Sequence, residues 1–416
     1  MHEQVQLPAS TPALARSLTL WHATLYGLGV TIGAGIYVLI GAAAARAGMQ
    51  APLAFVVAAG LMALSGASFA ELACRFPVAA GEAAYAREAF RSDRLATIVG
   101  LLVAVIAMVS SAAISIGSAG YVSVFVPLPN WILISAVVLS MGMVAAWGVK
   151  ESVSFAGVMT LIEIGGLLVL VLAGIFSDAP IGARLPEMVV PQSGTVALPG
   201  LVSATLLAVF AFIGFEGLAN VAEEVRDPKR NLPRAIFLTL GIATVLYIAV
   251  VWIALVAVGA SELAQSEAPL ALVFERLTGA SPRTMALIAL VATLNGIIVQ
   301  IIMSSRVLYG LAQQGNLPAA LREVSSRTRT PVVATAVTTA MVLGLALMVP
   351  LNDLAEATSR LTLLVFAAVN TSLIRIKKRA GQMPPGIYQA PTWVPWAGAG
   401  TCIVLLAADA ATKLLA

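Results

Sequence analysis

The groups in this sequence best placed to do chemistry are backbone amides and carbonyls, set free where glycines and polar residues interrupt two apolar runs. The runs read TLYGLGVTIGAGIYVLIG at 24–41 and LLAVFAFIGFEGLANVAEEV at 206–225. At Gly33, Ala34 and Gly35 small side chains let an anion reach the amides that begin the next half-helix. The helix dipole favours negative charge there too. Carbonyls freed at Thr31, Ile32, Phe210, Ala211, Phe212 and Ile213 can accept the donors of an ammonium group. A carboxylate beside an ammonium is the backbone of an amino acid. Glycine in an apolar helix also serves close packing, which explains either segment by itself. Matched interruptions in two helices favour a binding site.

Three polar side chains lie inside apolar runs. Glu163, in TLIEIGG, sits about ten residues from each end of its run. A carboxylate at that depth costs several kcal/mol unless it is paired, hydrated or protonated. Glu216 follows the second interruption, where it either contacts a cationic ligand or caps and anchors the half-helix that begins nearby. Gln300, an amide in mid-run, needs a partner, and a ligand or a neighbouring helix would serve equally. Glu71, Glu82, Glu223 and Glu224 lie among arginines near run ends, as gate salt bridges or as solvated charge.

Such residues need elements that hold them in hydrocarbon, and the composition supplies them. Of 416 residues, 60% are hydrophobic and only 11% charged; the mean hydropathy is +0.96, far from that of a soluble domain. Spans of about 20 apolar residues recur near 19–46, 52–74, 95–126, 130–148, 153–176, 200–223, 235–259, 283–312, 331–350, 354–374 and 393–413. Runs such as LLVLVLAGIF at 167–176 do not alternate, so they predict helices rather than barrel strands. The fold class is all-α and polytopic, one membrane domain over 1–416, with a polar terminus at 1–18 and no cleavable leader expected. Short surface helices are predicted over 81–90 and 267–279. Eighteen of the 24 Lys and Arg, among them Arg75, Arg87, Arg226, Lys229 and Lys377, fall on one side of this topology. Basic residues are retained in the cytoplasm, so the amino terminus is predicted inside and the carboxyl terminus outside, in the cell's inner (plasma) membrane.

Several classes of function lack their signatures. GLGVTIGAG misses the dinucleotide spacing and has no βαβ context. No phosphate loop is present, so uphill movement of a solute would need an ion or exchange gradient. Two histidines, His2 and His22, and no Cys/His cluster give a metal site little support. Cys74 and Cys402 fall on opposite sides of the topology and are expected to pack rather than pair. The net charge of +4 reflects topology, so no nucleic-acid partner is implied. A channel would show a polar ring or filter. An enzyme would need convergent nucleophiles or ligands, and none is evident; no cofactor is expected.

Four stretches resemble the APC superfamily of amino acid, polyamine and organocation permeases: VTIGAGIYVLIG at 30–41, SFAELACRFPVAAGEAAYAREAF at 68–90, FAFIGFEGLANVAEEVRDPKRNLPRAI at 210–236 and SSRVLYGLAQQGNLP at 304–318. The resemblance implies a leucine-transporter-like fold of inverted 5+5 repeats, here 19–176 and 200–374, with 393–413 peripheral. Many members have twelve spans, against the eleven counted here. It also implies a secondary transporter of an amino acid or related amine, driven by a proton, sodium or exchange. By the same resemblance Ala34 and Gly35 hold the substrate carboxylate, and Thr31, Phe210 and Ile213 surround its amino group. Phe210 matches an aromatic gate, Gln300 a position touching the substrate side chain, and Glu216 a glutamate common in relatives. Several relatives carry a lysine where this chain has Glu163. That reversal of charge suggests that Glu163 takes up a proton or helps bind a cation with Ser304 and Ser305.

Overall fold

The computed structural model of the protein describes residues 18–33, 35–76, 81–148, 153–188, 198–379 and 386–415. An apolar segment in hydrocarbon must satisfy its own amides and carbonyls, so the runs close into helices. In chain order these are α1 (Leu20–Ile32), α2 (Gly35–Ala47), α3 (Ala51–Arg75), α4 (Gly81–Phe90), α5 (Asp93–Ser123), α6 (Asn130–Trp147), α7 (Val153–Ile175) and α8 (Leu198–Phe212). Then follow α9 (Gly217–Asn220), α10 (Pro228–Ala257), α11 (Ala260–Gln265), α12 (Pro269–Thr278), α13 (Arg283–Gln313), α14 (Val332–Met348), α15 (Leu351–Arg379) and α16 (Trp393–Leu415). Among the described residues there is no strand, and one isolated parallel bridge joins Leu18 to Val225.

Among the described residues nine helical stretches are long and apolar enough to cross a membrane, α2 and α3 counting as one across the short turn at Gly48–Gln50. α14 is a shorter apolar helix of 17 residues, about 25 Å at 1.5 Å per residue. The protein is an all-α polytopic membrane protein. Local chemistry sets several boundaries. Thr19 Oγ1 accepts the His22 amide at 3.4 Å to start α1, and Ser92 Oγ accepts the Leu95 amide at 3.3 Å to start α5. Prolines open α3, α10 and α12 in the first turn, where a missing amide has no helical partner to lose.

α5 and α13 lie along one another, α10 packs on α3, and α1 packs on α10 and α7. α2 packs on α8, so both halves of the first interrupted run reach the second through shared neighbours. Two aromatic clusters fix the second interruption. Phe212 stacks at 5.1 Å on Tyr247 of α10 and at 6.4 Å on Phe55 of α3, while Phe215 meets Phe366 of α15 at 5.5 Å and Phe69 at 5.7 Å. Each such pair is worth about 1 kcal/mol beyond its burial, so the chain on either side of the turn is pinned.

The predicted helices at 81–90 and 267–279 are α4 and α12, but α4 does not merely lie on a surface. Gly81, Glu82, Tyr85, Ala86 and Ala89 are buried where it packs on α5 and α15. The two cysteines are buried and free, as packing residues. At the Arg-rich end, buried Glu71 pairs with Arg75, pairs with Lys377 at 2.8 Å, and accepts the Ala390 amide at 2.8 Å. At the other end Glu356 of α15, 3% exposed, receives Arg46 of α2 at 3.3 Å, Arg360 at 2.6 Å and Lys413 of α16 at 3.0 Å. Ser203 of α8 donates to it at 3.3 Å, and Arg360 also grips Asp409 of α16 at 2.6 and 3.2 Å.

Candidate functional site

The first interruption is short. α1 ends at Ile32, Gly33 keeps dihedrals of −50° and −30°, and α2 begins at Gly35; Ala34, an expected carboxylate contact, lies outside the described residues. The second is longer, with the chain turning through 213–216 between α8 and α9. Gly214 has φ +133°, a conformation open to glycine and strained for other residues. A Cβ there would stand 2.6 Å from the Val30 carbonyl oxygen and 2.9 Å from the Thr31 Cα, and a Cβ on Gly35 would run into the Cα of Ala211. The absent side chains therefore let the two interruptions meet backbone to backbone.

One hydroxyl joins them chemically. Tyr247 Oη lies 2.8 Å from the Thr31 carbonyl and 2.9 Å from the Ala211 carbonyl, so its single proton is shared between acceptors freed by each interruption. The Phe210 carbonyl accepts the Ile213 amide at 3.2 Å, closing the turn. Glu216 Oε2 accepts the Gly214 amide at 2.8 Å, an anchoring bond across the turn itself.

A small cavity opens beside these groups, lined by Val30, Thr31 and Gly35 of the first interruption, Phe210 and Ile213 of the second, Ser110 and Ile114 of α5, and Asn295, Val299 and Gln300 of α13. The expected residues divide here. Thr31, Gly35, Phe210, Ile213 and Gln300 face one space. Ile32, Ala211 and Phe212 are fully buried and do not line it, and Phe212 is spent in its aromatic cluster. Thr31 Oγ1 and Gln300 Oε1 are buried without hydrogen-bond partners.

Glu163 stands on the far side of the first interruption. Its Oε1 accepts from Asn295 Nδ2 at 3.2 Å, its carbonyl accepts from Tyr37 Oη at 2.7 Å, and its Oε2 has no partner. A Cβ placed on Gly33 would lie 3.5 Å from that free oxygen, 2.6 Å from the Gly29 carbonyl and 3.6 Å from the Ala292 carbonyl. Three oxygens thus surround the bare face of Gly33. Ser304 and Ser305 are not brought to Glu163. Ser304 donates to the Ala104 carbonyl at 3.2 Å and Ser305 to Ile302 at 2.9 Å, so Asn295 takes the place expected of them on α13. Asn295 and Tyr247 were the residues that sequence reasoning missed. Each is a polar side chain inside an apolar run, which was the available signal.

A second cavity continues from the first past Val30, Ile213, Val299 and Gln300, and is lined further along by Glu82, Glu216, Asn220 and Thr362. Glu82 is 5% exposed, and burial pushes its carboxyl up to about 7 from 4.5. The folded form therefore holds its proton more tightly than the unfolded chain. The resulting stability is complete below pH 4.5 and lost as pH rises through 7, a loss of about 3 kcal/mol at 1.4 kcal/mol per unit. Between about pH 5 and about pH 8 the wild type should lose more of its thermal midpoint than Glu82→Gln. Superimposable pH curves for the two proteins would contradict this burial.

Nine long apolar helical stretches among the described residues, with a cavity lined from two interrupted spans, define the class as a polytopic membrane protein. The family model for amino acid permeases matches residues 18–411, and the chain belongs to that family. It is 27% identical to the branched-chain amino acid permease BcaP of Bacillus subtilis, covering 91% of this chain and 86% of that one. It is 28% identical to the vacuolar cationic amino acid transporter 2 of Arabidopsis thaliana, over 88% of this chain and 60% of the longer relative. An uncharacterized transporter of Mycobacterium tuberculosis is 31% identical over 94% of this chain and 86% of its own.

Proposed function

We propose that this protein is a secondary active amino acid transporter of the plasma membrane, working by alternating access. The supporting observation is the cavity in which Thr31, Gly35, Phe210, Ile213 and Gln300 converge where two helices are interrupted. The substrate carboxylate is held at the start of α2, where dipole and amides favour it. Its ammonium lies against carbonyls of the two interruptions. Thr31 and Ala211 carbonyls already accept from Tyr247, so a ligand uses their remaining lone pairs or the neighbouring oxygens. Phe210 covers the bound molecule, and Val30, Ile114 and Val299 offer an apolar wall to its side chain.

The halves 19–176 and 200–374 rock about this site, with 393–413 at the periphery. The amino terminus is cytoplasmic and the carboxyl terminus external, supported by the gathering of basic residues at one end. Coupling is to a proton through Glu163, or to exchange. A second reading, sodium coupling, is favoured by the three oxygens around Gly33.

A thermal-shift screen of the purified full-length protein tests the site, because a ligand that binds only the folded form raises its midpoint. Leucine is expected to stabilise, whereas leucinamide, lacking the carboxylate, and N-acetylleucine, lacking the ammonium, are not. Equal shifts with all three would refute recognition of the zwitterion.

A further inference from the structure

The second cavity has chemistry that the first does not need. It leaves the zwitterion site between aliphatic walls supplied by Val103 and Ile106 of α5 and Val299 and Met303 of α13. Its farther lining holds two carboxyls, Glu82 of α4 and Glu216 beside α9. No Lys or Arg is among its described lining residues. Thr362 Oγ1, on a residue 2% exposed, and Gln300 Oε1, on a residue 9% exposed, also line this space and are buried without partners. Two acids and two partnerless buried oxygens, with the neutral amides of Asn220 and Gln300 as the other polar side-chain groups, form a lining short of positive charge, and burial makes that shortage costly.

We propose that this inner chamber is a subsite for a terminal cationic group, an ammonium or guanidinium carried on an unbranched aliphatic stem, so that the transporter takes basic amino acids. The stem crosses the Val103, Ile106 and Met303 walls. The charged end lies between Glu82 and Glu216 and donates to the Thr362 hydroxyl. Glu82 is the specificity-determining residue, since Glu216 is already committed through Oε2 to the Gly214 amide. The inference rests on the zwitterion reading of the first cavity, and the test separates the two.

The experiment measures binding to the purified full-length protein in micelles. Its probes are lysine, norleucine, which has a stem of similar length but no charge, and 1,5-diaminopentane, which has no carboxylate. The wild type is expected to prefer lysine to norleucine by about tenfold or more, the usual worth of a hydrogen-bonded charge. Glu82→Gln should remove most of that preference, and Thr362→Val should reduce it by severalfold, which keeps the test alive should the first variant fold poorly. A wild type with no preference, or a preference unchanged in both variants, overturns the subsite. If neither amino acid binds but 1,5-diaminopentane does, and Glu82→Gln abolishes its binding, the zwitterion reading falls and the subsite stands. If no probe binds, both fall.

Discussion

Glu163→Gln is expected to abolish concentrative uptake by proteoliposomes. The free Oε2 of Glu163 faces the bare side of Gly33 together with the carbonyls of Gly29 and Ala292, and its other oxygen is held by Asn295. A carboxyl in that position must be protonated or paired with a cation. Glutamine keeps the volume and the bond to Asn295 but neither ionises nor attracts a cation. Removing one partner of a buried charge pair costs about 3 kcal/mol or more, which lowers affinity for the driving ion about a hundredfold. Accumulation driven by either a pH or a sodium gradient should vanish, and equilibrium exchange of labelled substrate, which needs no driving ion, should persist. Running each gradient alone identifies the ion. Wild-type accumulation in the Gln variant would remove Glu163 from the coupling mechanism.

The second large effect is steric. Gly214→Ala is expected to cost on the order of 3 kcal/mol, because a residue with a Cβ is strained at positive φ and the added methyl overpacks a filled space. The observed values are φ +133° and 2.6 Å from that Cβ to the Val30 carbonyl, a backbone atom that cannot swing away. The variant should show a lowered thermal midpoint, and any protein that folds should have lost substrate stabilisation. Gly217→Ala is the control, since its Cβ would find only Val30 Cγ1 at 3.8 Å, ordinary contact. Equal behaviour of the two variants would mean that the interruptions do not touch as described.

Much of the fold is legible in the sequence because hydrocarbon leaves few choices. The apolar runs form helices, with α1 ending at Ile32 and α2 beginning at Gly35, and with α8 ending at Phe212 before the turn at 213–216. What could not be read was azimuth. Ser304 follows Asn295 by nine residues, two and a half turns at 3.6 residues per turn, so it points to the opposite side of α13 and about 13 Å further along it. Which turn of α13 crosses α7 is a tertiary fact, and it gives Glu163 its hydrogen bond from Asn295 while Ser304 bonds to α5. The same limit separates the three phenylalanines. Phe212 and Phe215 are claimed by aromatic neighbours on α3, α10 and α15, which leaves Phe210 to the cavity. Glu82 was visible as a charge near a helix end, but its burial depends on α4 folding against α5 and α15, a packing that no local pattern announces.

The ionic knot around Glu356 is not equally tight in all directions. Its grip between α15 and α16 is close and mostly sheltered, with Arg360 forked onto Asp409 at 2.6 and 3.2 Å and side-chain exposures of 28% and 7%. Its threads to α2 and α8 are 3.3 Å long, and Arg46 is 43% exposed, within reach of dissolved salt. The tie from α2 is the weak arm, whereas α8 is also held to α15 by the buried Ser359 hydroxyl, which donates to the Leu206 carbonyl at 2.6 Å. Raised ionic strength therefore loosens the hold of Arg46 on Glu356 before that of Arg360 on Asp409.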